Sequence, residues 1–499
     1  MSAFIDARTL PTGTQLPCDL AIIGGGPAGI TLALALADTR LNIVLLESGG
    51  MEFEPAAQKL YAGQQSGYEG LDIGRLRFLG GGTNHWGGWC RPMDELDFQA
   101  QAWRPWSGWP FGRAALAPYY PRAQKLVEAG AWVYDSKGDA VSADKGAVLP
   151  LGPGGLYTSW FQFSKMRGDV LPTQFGRRYT EDLKRIAGLK LLLHANVIGI
   201  RLARDGGHVA RLDAATLTGK RFAVSPRFTV LACGGMENAR LLLASNDVMK
   251  AGIGNQNDLV GRFFADNPTP RDVATLVSFE GRLAPFYSNN QKMDDGAIMR
   301  ATFAATESFR RDAQVAGSLS TVEQPVELDD AGKAAVVTTA IALGVDASNA
   351  KAYSLGCGME LAPDPDRRLT LTGEKDALGL PRMKLAMRIA DDDFVRFRKT
   401  LRELGRQLLA ARIGMLRVNC HTPADFQTNM DWGHHHLGTT RMSDDPKTGV
   451  CDADGKVHGM ANLFVAGSSL FPSYGASNPT LNLMALTLRQ ADHLKKVTA

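Results

Sequence analysis

Three adjacent histidines near the C-terminal end of the chain carry the residue types best suited to acid–base chemistry. His435 stands three residues before a Gly-Thr pair, and Asn478 begins an Asn-Pro-Thr segment further along. A neutral histidine can accept the proton of an alcohol because its pKa lies near working pH, and an asparagine amide could hold the substrate hydroxyl. In an extended segment His435 points opposite to His434 and His436, which favours a supporting or structural role for those two.

The same three histidines could also be taken for metal ligands. Adjacent residues cannot easily direct three imidazole rings at one ion, and no cysteine or paired carboxylate stands at ligand spacing. We therefore predict no metal site, and acid–base chemistry is the better interpretation of the segment.

A glycine-rich segment near the N-terminal end fits the dinucleotide-binding spacing G-x-G-x-x-G. Gly24 allows the tight turn, Gly26 lets the backbone approach a pyrophosphate, and Gly29 lets the next helix pack closely. Glu47, about twenty residues on, could bind ribose hydroxyls, and the helix N-terminus would face the phosphates. The pattern does not separate FAD from NAD. The predicted elements are a strand at 19–23, a helix at 30–37 and a strand at 42–47.

Further segments resemble the glucose-methanol-choline (GMC) oxidoreductases and, within that family, the branch around pyranose oxidase. The family loop beside the flavin ring is similar to residues 80–86, which read GGGTNHW. Residues 231–238 resemble the segment that leads into a helix near the cofactor, and residues 462–468 resemble the strand that closes the flavin site. In pyranose oxidase the histidine that matches His85 is bonded to the flavin. Family members differ in this linkage, so a covalent bond and a non-covalent contact both stay open for His85.

The resemblance implies that FAD is the cofactor and that residues from distant parts of the chain bind it. It also implies that His435 is the base and that Asn478 holds the substrate hydroxyl with it. Asn478 is in addition a suitable cap for a final helix predicted at 480–493. The cofactor-binding residues predicted in this way are Gly24, Gly26, Gly29, Glu47, Thr83, Asn84, His85, Val197, Gly467, Ser468, Asn478 and Thr480.

The fold class that the resemblance implies is α/β, with a Rossmann-like FAD-binding domain and a second α+β substrate-binding domain built on an antiparallel sheet. At 499 residues, two domains are expected on size alone. Strands predicted at 228–232 and 462–466 could join the first sheet, which would assemble that domain from distant segments. We expect the FAD-binding domain at 1–110, 190–265 and 445–499, and the substrate-binding domain at 111–189 and 266–444. Further predicted elements are strands at 367–372 and 383–388 and a helix at 391–409.

The composition is that of an ordinary globular protein, with 44% hydrophobic and 21% charged residues and a net charge of +4. No basic run is dense enough to predict nucleic-acid binding. Residues 1–18 lack the basic start and apolar core of a secretory signal, and no apolar run reaches the about 18 residues of a membrane span. Six scattered cysteines suit free thiols in a reducing compartment. We therefore expect a cytoplasmic protein without a membrane span.

The sequence thus predicts an FAD-dependent oxidoreductase that converts a secondary alcohol of a sugar or sugar glycoside to a ketone by hydride transfer to flavin N5. A flavin oxidase or dehydrogenase of a non-sugar alcohol is the alternative. A flavin-binding module without catalysis would need neither His435 nor Asn478, whereas a nicotinamide dehydrogenase would suit the glycines alone. Oxygen, a quinone or another electron acceptor stays open. The irregular segment 128–155 could be a contact in a homo-oligomer or a plain surface loop.

Overall fold

The computed structural model describes residues 3–134, 147–167, 172–293, 296–428 and 430–498. Part of the irregular segment 128–155 lies outside these ranges, so its predicted role stays open. The strands are β1 (Ala3–Asp6), β2 (Gln15–Ile23), β3 (Ile43–Leu46), β4 (Gln64–Ser66), β5 (Trp89–Cys90), β6 (Leu156–Phe163), β7 (Leu189–Leu193), β8 (Asn196–Leu202), β9 (Val209–Ala215), β10 (Arg221–Leu231), β11 (Pro268–Pro270), β12 (Ala274–Ser278), β13 (Gln291–Lys292), β14 (Ile298–Ala305), β15 (Ser318–Val326), β16 (Lys351–Met359), β17 (Arg368–Lys375), β18 (Pro381–Ala386), β19 (Gly414–Val418), β20 (Met430–Trp432) and β21 (Leu463–Val465). The α-helices are α1 (Pro27–Ala35), α2 (Pro55–Gln58), α3 (Glu95–Phe98), α4 (Tyr120–Leu126), α5 (Phe175–Arg185), α6 (Glu237–Ala244), α7 (Pro285–Ser288), α8 (Glu307–Ala313), α9 (Asp330–Leu343), α10 (Asp391–Ala410), α11 (Pro423–Thr428) and α12 (Pro479–Thr498).

The first sheet has a parallel centre built on the N-terminal strands. Its order is β1-β7-β3-β2-β10-β9-β8, and β21 also pairs with β10. The pairs from β1 to β10 and the β10–β21 pair are parallel, whereas β9 is antiparallel to both of its neighbours. The second half of β2 and all of β3 are buried, as strands are when both faces of a sheet are covered. Helix α1 follows β2 directly and packs against α5 and α12.

Segments far apart in the sequence are neighbours in this sheet. The N-terminal β2 pairs with β10, and β10 pairs with the late strand β21. The predicted α/β class with a Rossmann-like sheet is thereby confirmed. The domain bounds stay a prediction. Within the range 1–110, β4 pairs with β18 and β5 pairs with β6, so both of these short strands lie outside the first sheet.

The second sheet is antiparallel throughout its described pairs and has the order β19-β12-β16-β15-β14-β6-β5, with β13 paired to β14. Helix α10 packs against β19 and β6. Its apolar residues recur at helical spacing, and Phe394, Phe397, Leu401, Leu404 and Leu408 are all buried. Two smaller sheets accompany it: β11 with β20, and β17-β18-β4. The substrate-binding part is therefore the antiparallel α+β assembly that the resemblance implied.

Two further expectations concern the state of the cysteines and the presence of a membrane span. All six cysteines are free thiols in the structure. Over the described ranges, we find no helix with the length and hydropathy needed to cross a membrane. The cytoplasmic location stays a prediction.

Candidate active site

A cavity of about 1250 Å³ opens between the first and second sheets. The glycine turn after β2 lines one part of its wall, and the histidine segment 434–436 and residues of β14 and β15 line another. Ligand pockets usually measure about 300–1,000 Å³, so this one has room for a dinucleotide and a second small molecule. Every predicted cofactor-binding residue lines the cavity except Gly29 and Asn84.

The glycine turn joins β2 to α1. At three of its glycines a Cβ atom would have different surroundings. Gly24 has a φ of +108°, and a Cβ there would lie 2.5 Å from the carbonyl oxygen of Ala232. A Cβ on Gly26 would meet nothing within 4 Å, because this residue borders the open cavity. A Cβ on Gly29 would lie 1.9 Å from the carbonyl oxygen of Gly24, so its glycine lets α1 pack on the turn.

Glu47 directly follows β3 and connects this strand to the glycine turn through hydrogen bonds. Its carboxylate accepts the backbone N–H of Gly25 at 2.8 Å and that of Gly49 at 2.8 Å. Glu47 and Val197, the latter on β8, both line the cavity. The carboxylate therefore fixes the geometry of the turn and is at the same time part of the cavity wall.

Arg77 is a buried cation on the same wall, and the sequence did not single it out. Its Cζ lies 4.7 Å from the centre of the Tyr61 ring, and its Nη1 lies 3.5 Å from Oε2 of Glu237. Its Nε and Nη1 are buried without a hydrogen bond among the described residues. Buried donors normally have an acceptor, and the phosphate and ribose oxygens of FAD are acceptors. The Nε of Arg77, which has no acceptor in the described part of the chain, and the open space at Gly26 fit a bound FAD.

The loop at 80–86 folds as a short 3-10 turn held by side-chain bonds. Thr83 donates its hydroxyl to the carbonyl of Gly80 at 2.7 Å and accepts the N–H of Phe175 at 3.1 Å. Asn84 donates its amide to the carbonyl of Leu79 at 3.0 Å. Thr83 lines the cavity, whereas Asn84 supports the loop from outside it.

His85 follows this turn and projects into the cavity. The cavity walls lower its pKa through desolvation. Its ring lies nearly parallel to that of His434, with 6.4 Å between the ring centres and 12° between the planes. His434 in turn contacts the carboxylate of Glu69 through Nε2. His434 thus lies between the imidazole of His85, which faces the cavity, and the carboxylate of Glu69.

His435 is held at three points. Its backbone N–H donates to Oδ1 of Asp266 at 2.8 Å, and its ring Nδ1 lies 2.8 Å from Oδ1 of Asn267. Its Nε2 lies 3.2 Å from Nδ2 of Asn478, directly before α12. The structure therefore brings together the two residues that the sequence singled out, although they are 43 positions apart in the chain.

Burial sets the protonation of the histidine segment. It lowers the pKa of His435 to about 3, with a smaller contribution from the charge of His434, so the His435 imidazole is neutral at any ordinary working pH. His436 is buried, and its ring contacts those of Phe264 and Tyr68. Burial also lowers its pKa. In the part of the chain that the structure describes, no three histidine, cysteine or acidic side chains cluster as metal ligands would.

The remaining predicted residues follow β21 and open α12. Gly467 has a φ of +104°, and Ser468 donates its hydroxyl to the carbonyl of His436 at 2.7 Å. Asn478 directs its amide at His435, and Thr480 lies in the first turn of α12. Gly467, Ser468, Asn478 and Thr480 all line the cavity. A side-chain cap from Asn478 to α12 stays a prediction.

The wall formed by the second sheet is polar. Thr321 and Glu323 are two residues apart on β15 and share the face that lines the cavity. Burial raises the pKa of Glu323. Gly356, opposite Thr321 on β16, leaves that side of the sheet without a side chain. Arg300, on β14, has an Nε that is buried without a hydrogen bond among the described residues. The sequence identified none of these four.

A sequence profile of the GMC oxidoreductases matches residues 363–487, which include the histidine segment and Asn478. Over this part, about a quarter of its length, the chain is similar to the GMC oxidoreductases. The similarity supports an FAD enzyme that acts on CH–OH groups. The assignments of individual residues to FAD and to catalysis stay predictions.

Three curated relatives are 24–29% identical to the chain over the aligned residues. The large subunit of fructose dehydrogenase from Gluconobacter japonicus is 29% identical over 53% of this chain and 46% of its own. The 6'''-hydroxyparomomycin C oxidase of Streptomyces lividus is 24% identical over 94% of this chain and 90% of its own. C-glycoside 3-oxidase from Microbacterium trichothecenolyticum is 27% identical over 59% of this chain and 51% of its own. The chain thus spans about half of the first and third relatives and most of the second.

The fold itself is found in a solved structure. Pyridoxine 4-oxidase from Mesorbium loti superposes with a TM-score of 0.56 and 19% identity, over 96% of this chain and 99% of the other. At this identity the likeness concerns the fold alone, and it agrees with the parallel-centred sheet and the antiparallel sheet described above.

Proposed function

We propose that the protein is a GMC oxidoreductase of the pyranose oxidase-like branch and that it oxidises a secondary alcohol of a sugar or sugar glycoside to a ketone. The names of the relatives support a carbohydrate substrate, since they include a fructose dehydrogenase and a C-glycoside 3-oxidase. The polar wall of Arg300, Thr321 and Glu323 supports it independently, because a sugar offers several hydroxyls that such groups can bind. A non-sugar alcohol is the alternative substrate.

The observation that carries the catalytic proposal is the pairing of His435 with Asn478. FAD supplies the hydride acceptor, flavin N5, when it is bound. In our proposal Nε2 of His435 accepts the hydroxyl proton, because the imidazole is neutral and this nitrogen is directed at the donor amide of Asn478. The Asn478 amide donates to the substrate oxygen and orients the alcohol.

The proposal is tested on purified enzyme with a panel of free sugars, glycosides and simple alcohols, each assayed with oxygen, a quinone and a dye acceptor. We expect turnover of at least one sugar or glycoside, with a ketone as product. Turnover confined to simple alcohols would support the alternative substrate and contradict the sugar assignment.

Replacement of the base tests the mechanism. His435→Ala is expected to lower turnover of the preferred substrate by about two to four powers of ten while FAD stays bound, since general-base catalysis contributes about that much. His421→Ala is the matched control, because His421 is exposed and outside the cavity. Near full turnover by His435→Ala would remove His435 from the role of base. The electron acceptor, a cytoplasmic location and a homo-oligomeric state are further parts of the proposal, and the purified protein tests the first and the third.

A further inference from the structure

Asn267 is a buried side chain that contacts the ring of His435 from the side opposite Asn478. It immediately precedes β11, and β11 pairs with β20, the strand that leads into the histidine segment. The pairing continues past the strand ends, because the carbonyl of Asn267 accepts the N–H of Gly433 at 2.9 Å. The backbone thereby sets Asn267 beside His435, with 2.8 Å between Oδ1 and ring Nδ1.

The orientation of the Asn267 amide is fixed by a second bond. Its Nδ2 donates to the carbonyl of Met359 at 3.2 Å. A carbonyl can only accept, so the amide nitrogen must face Met359 and the amide oxygen must face His435. An oxygen acceptor at Nδ1 requires that Nδ1 carry the proton. The other ring nitrogen, Nε2, is then unprotonated, and its lone pair faces the amide of Asn478.

Asp266 holds the same segment through its backbone. Its Oδ1 accepts the N–H of His435 at 2.8 Å and the N–H of Asn267 at 2.7 Å, and its other oxygen accepts the hydroxyl of Tyr68. Asp266 therefore fixes where the residue lies, whereas Asn267 acts on the ring. The two functions are separable because they use different atoms of His435. The titratable groups nearest to the ring are Asp266, His434 with its partner Glu69, His436 and His85.

We propose that Asn267 is a positioning residue that locks His435 in the Nδ1–H tautomer and so directs the basic Nε2 at the substrate hydroxyl. The role rests on the proposed function of His435 as the base. Asn267 makes no contact with the reacting atoms in this scheme. Its effect on the rate comes through the ring that it holds.

The first test compares Asn267→Leu with Asn267→Asp in the holoenzyme. Loss of tautomer control in a Ser-His-Asp triad costs about 10⁴-fold, and a neutral amide holds the ring less strongly than a carboxylate, so we expect about a hundredfold loss of kcat in Asn267→Leu. KM and FAD content should change little. Asn267→Asp restores the acceptor at Nδ1 and should recover most of kcat at high pH.

The pH profile of Asn267→Asp separates a positioning role from a structural one. A carboxylate at Nδ1 stabilises the imidazolium and raises the pKa of His435. A protonated His435 cannot accept a proton, so activity should fall about tenfold more between pH 8 and pH 5 in this variant than in the wild type. Asp266, whose pKa burial raises to about 6, titrates in this range in both enzymes. Asn419→Leu is the control for the substitution itself, because Asn419 is exposed and outside the cavity.

The tautomer is measured directly by two-bond ¹H–¹⁵N correlation of the histidine rings, with His435 assigned by its loss in His435→Gln. We expect a protonated Nδ1 and an unprotonated Nε2 in the wild type, and a mixture of tautomers in Asn267→Leu. An unchanged tautomer in Asn267→Leu, or full kcat in that variant, would overturn the proposal. The spectrum reports the tautomer without turnover, so it tests the role of Asn267 independently of the catalytic role of His435. The activity of His435→Ala tests whether His435 is the base.

Discussion

The exchange Asn478→Asp changes the charge at one hydrogen bond of the proposed base while altering its shape very little. In the wild type the amide of Asn478 lies 3.2 Å from Nε2 of His435 and can donate to it. An aspartate at this position has no donor when ionised, so it forms a hydrogen bond only with a protonated Nε2. The variant should therefore favour the imidazolium over the neutral ring.

The magnitude follows from the distance. Two unit charges 3.2 Å apart at an effective dielectric constant of about 20 attract each other by about 5 kcal/mol. An energy of this size corresponds to nearly four powers of ten in proton affinity. Burial lowers the pKa of His435 to about 3 in the wild type, so the new charge should move it towards neutrality. The base is active only when deprotonated, and activity should be lost as pH falls through the raised pKa.

The measurement is flavin reduction by substrate in a stopped-flow instrument between pH 5 and pH 9. For Asn478→Asp we expect a rate about a hundredfold lower at pH 5 than at pH 9. The wild-type rate should fall much less over this range, in which Asp266, with its pKa raised by burial to about 6, also titrates. Asn257→Asp, at an exposed position outside the cavity, is the matched control. A flat profile with wild-type rates in a folded, FAD-loaded Asn478→Asp enzyme would refute the reasoning.

Three further predictions concern the cofactor and the substrate. His85 is expected to contact the flavin ring: after acid precipitation, flavin in the pellet means a covalent bond and flavin in the supernatant means none, and an FAD-bound structure with the ring far from His85 would contradict the contact. Arg77→Met should weaken FAD binding to the apoenzyme about ten- to a hundredfold, measured by quenching of flavin fluorescence, because charge-assisted hydrogen bonds contribute about 1.5–3 kcal/mol; an unchanged Kd would remove Arg77 from the FAD site. Glu323→Gln should lower kcat/KM about tenfold for sugars but not for simple alcohols, whereas Glu327→Gln, outside the cavity, should change neither; equal effects on both substrate classes would contradict a sugar-binding role.

Local sequence patterns predicted those helices and strands that are determined by their own residues rather than by distant partners. The strand-helix-strand unit of β2, α1 and β3 was expected because apolar runs flank a glycine turn, and helix α10 was expected from its apolar spacing. The differences are at the ends of elements. Helix α1 begins at Pro27 rather than residue 30, because proline is favoured in the first turn and Gly26 precedes it as the cap. Strand β10 begins at Arg221 rather than 228, because its first half pairs with β9, a contact that no local pattern reveals.

Several residues of the site could not be found from the sequence, and three of them share a physical reason. Asn267, Arg77 and Glu323 are ordinary polar residues in their local context, without a motif around them. Their importance comes from burial and from partners that lie far along the chain. Asn267, for example, meets His435 across 168 positions through the pairing of β11 with β20. Such contacts exist only after the sheets have formed.

The histidine segment is held to both of the large sheets, and this position explains why it can hold a base. On its N-terminal side Asn267 contacts the His435 ring and donates its amide to the carbonyl of Met359, at the end of β16 of the second sheet. On its C-terminal side the N–H of Thr440 donates to the carbonyl of Ser469, just beyond β21 of the first sheet, at 2.9 Å. The first sheet carries the glycine turn, and the second carries the polar wall. His435 is thus fixed relative to both sheets. A hydride acceptor bound to the first sheet and an alcohol bound against the second would therefore lie beside the base without a conformational change that moves His435 into place.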